Sequence, residues 1–130
     1  MKRRGLFYGA AFAALAALAG ATIYHAPALA HHGWGWAEDE EFELTGMIKA
    51  VQLGNPHGEL TLDVAGEDWL VEIGQPWRNE RAGLTDELLA IGTEVTAHGH
   101  RASDPAQRLM KAERLVIAGK DYNLYPDRES

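Results

Sequence analysis

Histidine is the residue type in this chain best suited to chemistry. Six are present. His25 lies in the N-terminal segment before Ala30, which leaves His31, His32, His57, His98 and His100. If the chain is cut after Ala30, His31 becomes the N-terminus and offers its free α-amine together with its ring. Such a nitrogen pair chelates transition metals, and Cu(II) favours tetragonal nitrogen sites. His32, then at position two, offers a second mode through the amine, the intervening amide and its own ring. The two modes compete for one amine. His98 and His100 are two apart on a predicted strand, so both project from one face, opposite Val95 and Ala97. His57 follows Pro56 in a turn of composition Gly-Asn-Pro-His-Gly. All five fall at arm, loop or outward positions. They form a candidate metal set, with copper favoured and nickel or zinc as alternatives. Neutral rings are the ligands, so binding is expected to weaken below about pH 6. The plain structural reading stays open for each: a chance neighbour of a cleavage site, polar strand surface, or a turn cap.

Other residue types narrow the field. Cysteine is absent, which removes thiolate ligands, Cys nucleophiles and disulfides. The serines are Ser103, in a predicted loop, and Ser130, at the end, so a serine hydrolase is not expected. No carboxylate pair stands out for acid–base work; Glu59 with Asp63 and Asp68 with Glu72 read as outward strand residues. Trp69 shares its phase with Val71 and Ile73 and is assigned to the core. Trp77 is expected to cover the bottom of the fold. Trp34 and Trp36 either pack the arm down or contact a ligand or partner. Arg78 and Arg81 either pair with Glu80 or Asp86 or present an anion site. An enzyme is the least favoured reading, because a small domain leaves little room for both a groove and the groups that support a site.

Compartment follows from the N-terminus. Lys2, Arg3 and Arg4 precede an uncharged run from Leu6 to Ile23, then Pro27 and Ala28-x-Ala30. This is the pattern of a cleavable signal peptide, and the expected location is the periplasm. An uncleaved anchor is the alternative. After cleavage no stable membrane span is expected. Arg3-Arg4 leaves twin-arginine export open beside the general route. Residues 1–30 contain three of the 12 basic and none of the 19 acidic residues, so the mature chain has a net charge of −10. Nucleic acid is therefore not an expected partner. A periplasmic or membrane protein partner is.

The elements that must position these residues are short strands. Residues 31–41 read as an arm, with Glu38–Glu41 as a solvated charge run. Alternation begins at Phe42 and slips phase near Gly46, which suggests a bulge or bend there. Strands are expected through Leu60–Val64, Asp68–Ile73, Thr93–Arg101, Leu109–Ala118 and Asp121–Tyr125. Between the third and fourth, Pro76–Ala82 reads as a helix stopped by Gly83, and Thr85–Leu89 as a second short helix. Three strands, a helical connection and then two or three strands is the order of a mainly β, small Greek-key OB-like barrel spanning residues 42–125. Residues 126–130 form a polar tail.

The signal peptide, His31-His32, Gly54-Asn55-Pro56-His57, Arg81-Ala82-Gly83-Leu84-Thr85 and Gly99-His100 together resemble a family of small exported proteobacterial proteins catalogued as a domain of unknown function. The resemblance covers residues 31–118 and is carried most specifically by the Asn-Pro-His turn and the Arg-Ala-Gly-x-Thr segment. It implies a periplasmic β-barrel and marks the positions of His31, His32, His57 and His100, without an activity. Trp34-Gly35-Trp36 departs from it, since relatives often carry Ser and Phe there. The expected function is an exported copper-binding module using a histidine N-terminus. The alternative is a metal-independent protein- or ligand-interaction module.

Overall fold

Leu60 and Leu62 alternate with polar neighbours, and Trp69 and Val71 do the same opposite them. Strands of that pattern bury one face and pair by their edges. In the computed structural model, which describes residues 33–128, they form a hairpin of β2 (Glu59–Val64) and β3 (Glu67–Glu72). The long first strand β1 (Phe42–Gln52) pairs with β2 along its second half and with β4 (Glu94–Arg101) along its first. Next comes β5 (Leu109–Ile117), antiparallel to β4 and parallel to β3. The sheet order β3-β2-β1-β4-β5 with the β3–β5 pairing closes a five-stranded barrel. An extra strand, β6 (Lys120–Asn123), adds to the outer end of β5. The fold class read from the sequence therefore holds: a mainly β, OB-like barrel with one short helix between β3 and β4.

That helix, α1 (Pro76–Ala82), has Pro76 in its first turn and ends at Gly83, whose φ of 86° is the left-handed cap conformation. The expected second helix is absent. Residues 85–89 make a single turn, in which the Thr85 hydroxyl accepts from the Leu88 amide at 3.3 Å. Thr85 supplies a cap, but too few residues follow before Gly92 to nucleate a helix.

The barrel interior is filled by Leu44, Ile48, Leu60, Leu62, Val71 and Val95, with Met110, Ala112 and Leu115 from β5. Trp69 is buried, as its phase predicts, and stacks at a tilt on Phe42 at 5.4 Å. Trp77 differs from expectation. It is half exposed and lies flat under Arg78 and Arg81 instead of closing the barrel. The phase slip in β1 is real but lies further on, because the register against β2 jumps between Ile48 and Ala50, making Lys49 the extra residue. Gly46 has another task. A Cβ there would press on the Asp63 carbonyl at 2.5 Å, where β1 passes from one partner strand to the other.

A second bulge decides the geometry that follows. His98 pairs with Arg114, but the next residue, Gly99, pairs with Ala112, so Glu113 is the extra residue on β5. Gly99 tolerates this because a Cβ at that position would collide with the Lys111 carbonyl and the Ala112 Cα.

Candidate functional site

Strand parity turns Lys111 and Glu113 of β5, His100 of β4 and Glu72 of β3 away from the barrel core. All four are nevertheless buried, each at most 5% exposed. Their cover comes from the two ends of the described chain. The arm turns at Trp34–Ala37 and joins the end of β4, with the Glu38 amide donating to the Arg101 carbonyl at 2.9 Å and Ser103 donating to the Trp36 carbonyl at 3.0 Å. The tail returns past β6, with the Leu124 amide donating to the carbonyl of Glu113 at 2.8 Å.

Under this cover lie two histidine–carboxylate clusters. In one, His100 Nε2 stands 2.6 Å from Glu113 Oε1 and 3.5 Å from Glu41 Oε1. Arg128 Nε donates to the same Glu113 oxygen at 2.9 Å. His100 Nδ1 lies 3.0 Å from the Glu40 carbonyl oxygen. A carbonyl only accepts, so Nδ1 carries a hydrogen and the ring turns Nε2 to the carboxylates. That nitrogen either bears a proton or presents its lone pair to a cation shared with them. Glu113 Oε2 is buried and has no hydrogen-bond partner. The ligand atoms of Glu41, His100 and Glu113 all lie within 4.8 Å of one another.

In the other cluster, Glu72 Oε1 accepts from Lys111 Nζ at 3.2 Å and meets His57 Nε2 at 2.9 Å. Burial pushes the Glu72 carboxyl up from its ordinary range, while the neighbouring Lys111 and His57 pull against that rise. Lys111 also donates to the Gly33 carbonyl at 3.1 Å.

Trp34 joins the two clusters. Arg128 lies over its ring at 3.9 Å and Lys111 at 4.9 Å. Its edge meets His100 at 5.7 Å between centroids and Tyr125 at 5.1 Å. Burial raises the Tyr125 hydroxyl above its usual value.

The predicted histidines are thus divided. His31 and His32 lie outside the described residues. His98 shares the outer face with His100, as its spacing predicts, but pairs loosely with the exposed Glu43 at 3.6 Å. His57 belongs to the Glu72 cluster. Among the described residues of the predicted set, His100 is the one in the three-residue group with ligand geometry. Trp34 packs the arm onto the barrel, the plainer of its two expected roles, and Trp36 is half-buried in the same arm. Arg78 and Arg81 stack on Trp77 instead of pairing with Glu80 or Asp86.

Four residues escaped the sequence reading. The sequence reading puts Glu72 on outward, soluble strand surface, but it is 2% exposed. Glu41 reads as part of a solvated run; its side chain is half exposed, yet reaches His100. Lys111 and Glu113 sit where the bulge breaks the apolar alternation. The available signal is three charged residues, Lys111, Glu113 and Arg114, inside a nine-residue strand whose other six positions are apolar.

The fold and these clusters define a small β-barrel protein with buried imidazole–carboxylate pairs on its outer face. The chain belongs to DUF6152, a family of unknown function, whose model matches residues 18–110. Comparison with curated proteins gives no match. Among solved structures, the Stn1–Ten1 complex of S. pombe is similar at 18% identity, over 62% of this chain and 59% of that one, with a TM-score of 0.48. TiaS lacking its ZRD, in complex with agmatine, is similar at 16% identity over 65% of this chain and 26% of that one, with a TM-score of 0.43. Apo TiaS, a tRNAIle2 agmatidine synthetase, gives 18% identity over 60% and 18%, with a TM-score of 0.42. The chain spans less than two thirds of each of these structures. Among the described residues no helix is long and apolar enough to cross a membrane.

Proposed function

We propose that this chain is an exported binding module, acting in the periplasm, whose ligand is a divalent transition-metal ion held by Glu41, His100 and Glu113. The observation that carries the reading is Glu113 Oε2, a buried carboxylate oxygen without a partner, beside an imidazole nitrogen turned towards two carboxylates. Buried oxygens of this kind are nearly always satisfied, by protein, water or an ion. Donors at ~2.0–2.2 Å from one ion lie no more than ~4.4 Å apart. The half-exposed Glu41 side chain can close the remaining spread. One imidazole and two carboxylates suit zinc and other borderline divalent ions. The Glu40 carbonyl on Nδ1 is the outer partner that fixes a ligating ring.

Copper, expected from the N-terminal histidines, is the narrower form of the same reading. His32 is one peptide bond from Gly33, whose carbonyl Lys111 holds. An amine and ring from that end would add nitrogen donors and shift preference towards Cu(II).

The test is calorimetric titration of Zn(II) and Cu(II) into the form beginning at His31, with His100→Ala and with an extra Met before His31. One-to-one binding lost in His100→Ala supports the site. Binding kept in His100→Ala but lost on adding Met moves the ligands to the N-terminus and overturns the Glu41–His100–Glu113 assignment. No binding of either ion overturns the metal reading.

A further inference from the structure

A separate cavity lies between the arm, the β1–β2 turn and the start of α1. It is half open to solvent and has a volume of about 200 Å³. Its polar wall is His57, Gln75, Arg78 and Lys111; Trp34 and Tyr125 supply aromatic surface. None of the residues lining it is acidic, in a chain with 19 acidic and 12 basic residues.

Arg78 is built to face this space. Its guanidinium lies between the Trp77 ring at 4.4 Å and the Tyr125 ring at 4.5 Å. Nε donates to Gln75 Oε1 at 3.2 Å, and one terminal nitrogen makes a long contact of 3.5 Å to the Leu124 carbonyl. A guanidinium has five N–H donors, so most remain for another acceptor. Among the described residues, no carboxylate pairs with Arg78. Across the cavity, Lys111 uses two donors, on Glu72 and Gly33, and has a third. Glu72 offsets one of these two cations, so the cavity carries an excess positive charge.

We infer that this cavity binds a small organic carboxylate, its oxygens taken in parallel by the Arg78 fork and its carbon body laid against Trp34 and Tyr125. A planar carboxylate matches the fork in two parallel hydrogen bonds. The volume is below the ~300 Å³ typical of the smaller drug-sized pockets, so the ligand is a small acid. The site is independent of the metal reading and uses none of its three ligands.

Acetate is the probe. The Arg78 Nε–H and Trp34 indole N–H resonances are followed by two-dimensional ¹H–¹⁵N NMR in the presence of a chelator. Sodium acetate, sodium chloride and sodium phosphate are compared at matched ionic strength. The expected result is a saturable shift of both resonances with acetate and none with chloride. Arg78→Gln, followed at Trp34, weakens acetate binding at least tenfold, and Arg81→Gln, on the same helix but outside the cavity, leaves it unchanged. Identical shifts with chloride overturn the site on the unaltered protein alone, whatever the variants do. An acetate titration unchanged in Arg78→Gln overturns the role of the fork. Tighter binding of phosphate than of acetate overturns the carboxylate assignment.

Discussion

His100 and Glu113 meet on neighbouring strands, Nε2 to Oε1 2.6 Å, because Glu113 is the extra residue of a bulge opposite Gly99. Replacing His100 with Ala leaves a buried carboxylate with Arg128 as its remaining partner. Leaving a buried carboxylate short of a hydrogen-bond partner costs about 1–3 kcal/mol. Urea denaturation of His100→Ala should show a loss of that size. His98→Ala should shift the midpoint by no more than about 0.5 kcal/mol, as for surface substitutions. Equal losses from the two would contradict the different roles assigned to these histidines.

Gly99 is the condition for that bulge. A methyl group there would run into backbone of β5, which cannot swing aside as a side-chain tip can. Gly99→Ala should therefore destabilise by about 1–3 kcal/mol or more, measured as a fall in the urea midpoint. The amide signals of Lys111–Arg114 should move most.

Glu72 sets a dependence on acidity. Burial raises its carboxyl in the folded state, so the folded chain keeps a proton that the unfolded chain releases. Its contribution is fully present below the ordinary glutamate range. It declines as pH rises through that range to the raised folded value. Glu72→Gln should abolish this decline. Lys111→Met removes the cation that opposes the rise, so it should push Glu72 higher still, and the decline should extend to higher pH. Carboxyl ¹³C NMR titration of Glu72 reads both directly.

Trp34 carries two cations and two aromatic edges. Cation–π contacts are worth about 0.5–2 kcal/mol each, more when desolvated. Trp34→Ala should cost about 1–3 kcal/mol, estimated from those contacts and the lost apolar burial. It should also speed hydrogen exchange at Glu38 and Ser103, whose amides pin the arm. Unchanged exchange would show that the arm is held by other contacts.

The barrel was legible in the sequence because its strands alternate cleanly and its turns carry Gly and Pro. Trp69 shows this: parity alone placed it in the core. The site was less legible. Parity correctly turned Glu72 outward, but outward meant exposed only until the arm and tail were laid over that face, and no local pattern announces such a cover. Residue type groups His57 and His98 with His100, whereas each position supplies its own carboxylate partner. Glu113 was hidden for another reason. Its bulge shifts the apolar period of β5, so Met110 and Ala112 share one phase and Leu115 and Ile117 the other, and no single alternation describes the strand.

Trp34 stands one residue inside the first described position, and Arg128, the last, lies on its ring at 3.9 Å. The arm and the tail therefore meet face to face. A segment whose two ends adjoin, here residues 33–128, is topologically close to a ring. A short Gly/Ser linker joining them, with new termini opened at the exposed Ala65–Gly66 turn, should give a circular permutant that keeps the barrel. A cargo protein inserted at that turn would stand apart from both histidine clusters, whereas a bulky fusion joined just before Gly33 or just after Arg128 begins beside them.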